Sequence, residues 1–243
     1  MRVLVTRPEP GASRTAERLR ALGHEPVILP LFEAQITASA QDLPPAKQIG
    51  GLIATSARAF SMFGGKTAPA AYLELPVYTV GPATAQAARD AGFSHVHGGA
   101  GSARDLASTL MALPDKAKDG TGLLYLAGLP RKPTLEAALT TAGLAFQVLE
   151  TYRMDKISYP TDSLFLDLLS PAPDAVLFYS TNAALGFCSI VSAKNLDESL
   201  HSTSLVCLSP EITRAFPEDW TARVLSADHP DEDSLLASLA GLG

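Results

Sequence analysis

Small polar turns that follow predicted strands hold most of the side chains that could do chemistry in this 243-residue chain. These turns, each rich in hydroxyl or cationic residues, are Thr6-Arg7-Pro8, Thr55-Ser56, Gly81-Pro82-Ala83-Thr84, residues 128–132, Ser180-Thr181 and Ser209-Pro210. Because parallel strands end at one edge of a sheet, the turns are expected to gather where ligands bind. The helix N-termini that follow them offer free N–H groups and partial positive charge. Together these features predict a binding site for a polyanion.

Individual residues in and beside the turns are candidate ligand contacts. Arg7, Arg58 and Arg131 are the cations nearest to the turns, and a carboxylate is their natural partner. The candidate hydroxyl contacts are Thr6, Ser56, Thr84, Ser180 and Thr181. Each side chain also has a plainer interpretation, because Ser and Thr commonly cap helices and arginines commonly stay solvated at the surface.

Other chemistries lack their motifs in the sequence, which contains no nucleophile, base and acid at a useful spacing. Residues 98–101 form a glycine-rich loop before a predicted helix, without the spacing of a dinucleotide fingerprint or the lysine of a P-loop. His95 and His97 share one face of a predicted strand without a neighbouring Cys, Asp or Glu to complete a metal site. Cys188 and Cys207 lie in apolar runs and are predicted to be buried, inert thiols.

The composition predicts a globular protein without a broad nucleic-acid surface. The chain is 47% apolar and has a net charge of −6 from 19 basic and 25 acidic residues. The sequence contains no run of about 18 apolar residues that could span a membrane. Residues 3–6 already form a strand-like run, so we expect no secretory leader. We therefore expect a cytoplasmic protein that is a monomer by default, with no membrane or nucleic-acid partner.

The segment 122–154 repeats the beginning of the chain. Aligning Gly143 with Gly23 sets LLYLAGLP on VLVTRPEP and QVLETYR on VILPLFE. Later blocks repeat as well, and Ser180 falls on Ser56. The sequence therefore contains an internal duplication.

Each half of the duplication predicts about five strands and four helices in strict alternation, as in a doubly wound parallel α/β sheet of flavodoxin-like size. A plain tandem pair of such domains and a pair that exchanges its first strand-helix-strand unit have the same sequence order, so periodicity leaves both arrangements open. Residues 31–37 and 151–157 end the two copies as extended runs that could pair as an interdomain ribbon. Tyr152 lies in the second run, where the first copy has Phe32, so its added hydroxyl is a candidate functional group.

Six stretches of the sequence resemble a known family, and they occur in the family's order. The stretches are VLVTRPEPGA, LRALGHEPVILPLFE, LIATSARA, VYTVGPATAQAARDAGF, LLYLAGLPRK and LETYR. On these residues the chain resembles uroporphyrinogen-III synthases over nearly its whole length. The resemblance implies two flavodoxin-like domains with the first strand-helix-strand unit exchanged. One domain would comprise residues 1–34 with 158–243, the other residues 39–150, and residues 35–38 and 151–157 would form the ribbon between them.

The resemblance also implies a reaction. The linear tetrapyrrole hydroxymethylbilane would be cyclised to uroporphyrinogen III in an interdomain cleft, with inversion of ring D and loss of water, and without cofactor or metal. This substrate carries eight carboxylates, so it is a polyanion of the kind that the predicted site would bind. The protein would mainly fold the substrate and disfavour direct closure, which is an effect of positioning.

The resemblance assigns roles to residues of this chain. Tyr152 matches a tyrosine that the family places at the cleft, and we expect it to assist departure of the substrate hydroxyl as a weak general acid. By the same correspondence, the binding candidates are Thr6, Arg7, Ser56, Thr84 and Arg131. One turn departs from the family pattern, because Glu211 in Ser209-Pro-Glu-Ile-Thr213 would repel a carboxylate.

Two other functions compete with a lyase of tetrapyrrole synthesis. One is a two-domain binding protein that closes on an anionic small molecule without chemistry. The other is a nucleotide-dependent enzyme of Rossmann type, which protection by ATP or NAD against thermal unfolding would support.

Overall fold

Two sheets of mostly parallel strands form the framework of the computed structural model, which describes residues 1–98, 103–111, 121–159 and 169–242. The strands are β1 (Arg2–Val5), β2 (Glu25–Ile28), β3 (Phe32–Ile36), β4 (Ile49–Ala54), β5 (Val77–Thr79), β6 (Val96–Gly98), β7 (Gly122–Leu129), β8 (Phe146–Lys156), β9 (Ala175–Phe178), β10 (Ser204–Cys207) and β11 (Val224–Ser226). The chain divides into two compact units: a first unit of Met1–Glu33 with Asp155–Gly243, and a second unit of Ala34–Met154.

Helices follow most of these strands along the described chain, although β3 follows β2 directly. The α-helices are α1 (Gly11–Ala21), α2 (Pro82–Asp90), α3 (Ala103–Met111), α4 (Thr134–Thr141), α5 (Thr181–Ala193), α6 (Pro210–Thr213) and α7 (Glu232–Ala237). Short 3₁₀ helices cover Ala40–Asp42, Ala46–Gln48, Ala57–Phe63, Ala70–Tyr72, Glu218–Arg223 and Ser238–Leu242.

Strand order reveals the duplication in three dimensions. The five-stranded sheet has the order β11-β10-β9-β1-β2, and the six-stranded sheet has the order β3-β8-β7-β4-β5-β6. When the repeated segments are matched, β7-β8 stand where β1-β2 stand, and both sheets follow the flavodoxin-like order 2-1-3-4-5. The doubly wound parallel architecture predicted from the sequence is therefore confirmed.

The partner of the N-terminal strand shows which of the two possible arrangements the chain adopts. β1 pairs in parallel with β9, while β4 pairs in parallel with β7. The unit β1-α1-β2 thus belongs to the sheet built from the C-terminal part of the chain. β3 runs antiparallel to β8, and flanking backbone hydrogen bonds join Thr37 N to Thr151 O and Ile157 N to Leu31 O, each at 3.0 Å.

Alternating side chains of the central strands fill a core on both faces of each sheet. In β1, Leu4 belongs to one apolar cluster while Val3 and Val5 belong to another, and all three are 0% exposed. In β7, Leu124 and Tyr125 likewise lie in different clusters of the second unit. This burial on both faces explains why the strands read as continuous apolar runs.

Helix termini follow the local signals of the sequence. Gly23 and Gly143, at equivalent places after α1 and α4, have φ values of 80° and 68°, which an L side chain rarely adopts. Ser180 caps α5 by accepting a hydrogen bond from the backbone N–H of Ala183 at 3.2 Å. Ser56 caps its helix as expected, but that helix is 3₁₀ throughout rather than α.

The glycine-rich loop predicted at residues 98–101 lies mostly outside the described residues. The helix that the sequence predicts after it is described over Ala103–Met111. Among the residues that the structure describes, no helix combines the length and the apolar character needed to cross a membrane.

Candidate functional site

A cavity of about 700 Å³ opens at the carboxyl ends of β4 and β7 in the second unit. The residues that line it are Thr55, Ser56, Asp105, Tyr125, Gly128, Pro130, Arg131, Lys132, Thr134, Leu135 and Tyr152. Two of the polar turns predicted from the sequence meet here, because β4 and β7 are adjacent parallel strands. Cations, hydroxyls and one carboxylate, that of Asp105, therefore share one cavity wall.

A bulge in the pairing of β7 with β8 sets the position of Tyr152. Ala127 pairs with Glu150, and the next residue, Gly128, pairs with Tyr152, so Thr151 is an extra residue in β8. Thr151 is 0% exposed, and its hydroxyl donates to the carbonyl oxygen of Ala127 at 3.1 Å. The hydrogen bond fixes the bulge, which brings the side chain of Tyr152 over the backbone of β7.

Gly128 provides the space that the ring of Tyr152 occupies. A Cβ atom at Gly128 would lie 2.1 Å from Cζ and 2.4 Å from the hydroxyl oxygen of Tyr152. Any other residue at position 128 would push the ring away, because real Cβ contacts are essentially never so short. Tyr152 thus reaches the cavity only because its neighbour on β7 lacks a side chain.

Arg131 is held at the cavity by two carboxylates of the protein. Its Nε donates to Oε1 of Glu136 at 2.6 Å, and its Nη1 donates to Oε1 of Glu150 at 2.9 Å. These hydrogen bonds, that to Glu136 first, raise the pKa of Arg131 above its ordinary value. The guanidinium group carries five N–H donors, so it retains donors for a ligand while its orientation is fixed.

A hydroxyl pair forms another part of the wall. The hydroxyl groups of Thr55 and Tyr125 are 3.2 Å apart, within hydrogen-bond distance. Tyr125 is 3% exposed, and burial raises the pKa of its hydroxyl. The sequence placed Thr55 in a polar turn but named neither residue as a candidate contact. Tyr125 lies in an apolar strand, where a tyrosine carries no pattern that distinguishes a site from a core.

Of the candidates predicted from the sequence in the second unit, Ser56, Arg131 and Tyr152 line the cavity. Ser56 also accepts a hydrogen bond from the backbone N–H of Arg58 at 3.3 Å, so it acts as a helix cap. Arg58 and Thr84 do not line this cavity, and Thr84 is 6% exposed within α2.

The candidates in the first unit lie on the turns after β1 and β9. Thr6 is 0% exposed, and its hydroxyl donates to the carbonyl oxygen of Leu177 at 2.7 Å. Ser180 and Thr181 are the cap and the first residue of α5. Arg7 lies with its Cζ 4.1 Å from the centre of the ring of Tyr179, and its Nη1 is 3.1 Å from Oε1 of Glu232.

Glu232 is the centre of a polar cluster that the sequence did not reveal. Its carboxylate accepts hydrogen bonds from Thr15 and from the hydroxyl of Tyr179, the latter at 2.8 Å, and pairs with Arg7 and Arg18. Burial disfavours the charged form, but these hydrogen bonds and cations outweigh it and lower the pKa of Glu232. Burial also raises the pKa of Tyr179 to about 12. The residues that contact Glu232 are far from it in sequence, so no local motif predicts the cluster.

The described parts of the chain hold no group of three or more His, Cys, Asp or Glu residues that could bind a metal ion. Cys207 is buried and Cys188 is partly buried, and both are free cysteines. Burial raises the pKa of Cys188 to about 11 and that of Cys207 to about 12, which agrees with inert thiols.

The fold and the cavity define a duplicated, doubly wound α/β protein with an arginine- and tyrosine-lined site at the carboxyl ends of its strands. Solved structures share the fold. The uroporphyrinogen-III synthetase from Helicobacter pylori 26695 matches with a TM-score of 0.67 at 18% identity, covering 100% of both chains. A mutant uroporphyrinogen III synthase from the extremely thermophilic bacterium Thermus thermophilus matches with a TM-score of 0.59 at 17% identity, covering 100% of this chain and 98% of that one.

Sequence comparison identifies the family. The uroporphyrinogen-III synthase from Saccharomyces cerevisiae is 36% identical over 94 residues, a match that covers 37% of this chain and only 34% of the yeast protein. The model of the uroporphyrinogen-III synthase HemD family matches residues 13–237. The chain belongs to the uroporphyrinogen-III synthase family.

Proposed function

We propose that this protein cyclises hydroxymethylbilane to uroporphyrinogen III, with inversion of ring D and loss of water. The observation that carries the proposal is the match to the HemD family over residues 13–237. The cavity of the second unit supports it, since hydroxyls, cations and the start of α4 face one space at the carboxyl ends of the strands.

The substrate carboxylates call for hydrogen-bond donors, and the second unit supplies several. Arg131 and Lys132 are the cations of the cavity, and Ser56 lies at its edge. The cap residue of α4, Pro133, gives no side-chain hydrogen bond, so the first N–H groups of the helix remain for an anion. Arg58, Thr84, Thr6, Arg7, Ser180 and Thr181 complete the proposed set of substrate contacts.

Tyr152 is the proposed proton donor to the leaving hydroxyl. As the C–O bond of the hydroxymethyl group breaks, the hydroxyl takes the phenol proton and departs as water, which leaves an azafulvene cation and a tyrosinate. The substituted carbon of ring D then attacks to form a spiro intermediate, which reopens and closes with the ring inverted. Loss of the final ring proton returns the phenol to its starting state. The protein contributes mainly by holding the chain ends in this geometry.

We further propose two domains, residues 1–34 with 158–243 and residues 39–150, joined by the ribbon 35–38 and 151–157. The protein is proposed to act as a cytoplasmic monomer that needs no cofactor or metal and has no membrane or nucleic-acid partner. The net charge of −6 supports the last point. Sedimentation in solution tests the monomer.

The decisive experiment supplies freshly made hydroxymethylbilane and separates the oxidised product isomers. We expect type III product. Type I product alone, the spontaneous outcome, would overturn the proposed activity. Tight binding of a porphyrinogen without any change in the isomer ratio would instead support a binding protein for an anionic small molecule.

A further inference from the structure

Thr55 and Tyr125 lie in two of the stretches that carry the family resemblance, and their hydroxyl groups face the cavity together. Tyr125 lies on β7, and Thr55 follows the neighbouring strand β4, where Ile53 pairs with Tyr125. Their oxygens are 3.2 Å apart, and both side chains line the cavity that Tyr152 and Arg131 also line.

The chemistry of the pair leaves one donor for a ligand. Two hydroxyls carry two hydrogens, and a hydrogen bond between them uses only one. If Tyr125 donates to Thr55, the hydrogen of Thr55 remains; if Thr55 donates to Tyr125, the phenol hydrogen remains. Both orders satisfy the geometry, so the remaining donor can come from either residue.

A neutral donor suits an anionic ligand at this position. Burial raises the pKa of Tyr125, so the phenol keeps its proton and adds no negative charge to a cavity that already contains Asp105. A hydrogen bond to a carboxylate is stronger than one between neutral groups, and Tyr125 is itself buried in the cavity wall.

We propose that Thr55 and Tyr125 form a two-way hydroxyl switch that donates one hydrogen bond to a substrate carboxylate, and that either residue can supply the hydrogen. The proposal rests on the proposed function for the identity of the substrate. It adds to the site a contact that depends on the pair rather than on one residue.

Redundancy gives the pair a distinctive signature. Thr55→Val and Tyr125→Phe each remove one hydroxyl without changing the shape of the side chain, and each leaves the other hydroxyl free to donate. We expect each single variant to raise KM for hydroxymethylbilane about twofold. The double variant loses the donor altogether and should raise KM at least about tenfold, as expected for a hydrogen bond to a charged group. In all three variants kcat should stay within about twofold of the wild-type value.

Packing and folding effects are separated by controls. Tyr78→Phe removes the hydroxyl of another buried tyrosine in the same sheet that does not line the cavity, and it should leave KM unchanged. Thermal unfolding of each variant reports whether the fold is retained. If the double variant does not fold, Thr55→Ala combined with Tyr125→Phe replaces it.

Binding of uroporphyrin, a stable octacarboxylate, separates failure of this proposal from failure of the proposed function. Suppose that the wild-type protein yields only type I product but binds uroporphyrin at least about tenfold more tightly than the double variant does. That result would support the hydroxyl pair as a carboxylate-binding site and would overturn the proposed activity. The proposed hydroxyl pair is overturned if the double variant raises KM, or the Kd for uroporphyrin, only by the product of the two single-variant factors. It is also overturned by a wild-type protein that neither binds uroporphyrin nor makes type III product.

Discussion

The two arginines most suited to a substrate carboxylate already contact carboxylates of the protein. Arg131 contacts Glu136 and Glu150, while Arg7 contacts Glu232. An incoming carboxylate meets a guanidinium group whose charge is partly neutralised but whose direction is set. Such arginines contribute geometry more than net charge, which suits an enzyme that must hold one conformation of a flexible substrate.

Replacing Tyr152 with Phe tests the proposed proton donor. We expect kcat to fall by about 100-fold, the low end of the range for general acids, because the phenol proton no longer reaches the leaving hydroxyl. The midpoint of thermal unfolding should stay close to that of the wild type, since the ring is retained. Initial rates with fresh hydroxymethylbilane, corrected for spontaneous cyclisation, measure the effect. An unchanged rate would assign the tyrosine to packing.

Replacing Glu232 with Gln tests the polar cluster of the first unit through pH. At neutral pH we expect the midpoint of thermal unfolding to fall by about 3–6 °C, because charge-assisted hydrogen bonds are lost. The folded-state pKa of Glu232 is lowered, so its stabilising contribution is complete above the unfolded value of about 4.3 and disappears as pH falls through the folded value. The two melting curves should therefore converge at acid pH.

Asp233→Asn is the matched control for Glu232→Gln. It removes one negative charge from the same turn of α7, but the side chain of Asp233 is 86% exposed, so the melting midpoint should barely change. A difference between wild type and Glu232→Gln that does not shrink as the pH is lowered would show that the side chain stabilises the fold through its shape rather than through its charge.

At the scale of elements, the bulge in β8 is the feature that a sequence pattern does not disclose. Strand periodicity predicts the strand, but one extra residue changes the face on which every later side chain lies. Thr151 is buried and Tyr152 reaches the cavity because of that single residue. The site depends on an irregularity within a correctly predicted element.

Gly128→Ala tests whether the bulge works through Tyr152. The added Cβ meets the end of the ring rather than backbone, so the ring should move while the sheet is retained. We expect kcat to fall by about as much as in Tyr152→Phe, about 100-fold. In the Tyr152→Phe background the same change should cost little more, because the hydroxyl is already gone.

The control for Gly128→Ala is Gly186→Ala in α5. A Cβ there would lie 3.4 Å from Cε2 of Phe32, an ordinary contact, and kcat should not change. If the effects of Gly128→Ala and Tyr152→Phe multiply instead of overlapping, the glycine acts independently of the tyrosine.

At the scale of the whole molecule, the two units differ in how the chain builds them. The second unit is continuous, whereas the first unit places β1 and β2, from the N-terminus, beside strands from the C-terminal part. Core residues of β1 such as Val3 and Val5 are 0% exposed in the complete sheet, where β1 pairs with β9.

Two fragments test this difference. Residues 32–156 contain all strands of the six-stranded sheet, and we expect cooperative thermal unfolding by circular dichroism. Residues 1–156 add β1-α1-β2 without their partner strand, so their apolar faces should bind a hydrophobic dye and promote aggregation. A shorter fragment that fails to fold would show that the second unit depends on the rest of the chain.

The amino-acid sequence was enough to predict the alternation of strands and helices, the duplication, and the polar turns at strand ends. Ser56 and Arg131 could be selected because turn chemistry is local, and Tyr152 because the duplication sets it against Phe32 and the family resemblance matches it. The folded structure was needed to show that β1 pairs with β9 and that Thr151 forms a bulge. It was also needed to show that Thr55 contacts Tyr125 and that Glu232 lies among its polar partners. Buried parallel strands have nearly identical patterns, so the choice of partner depends on packing between distant segments. Side-chain pairs across such segments depend on that choice in turn.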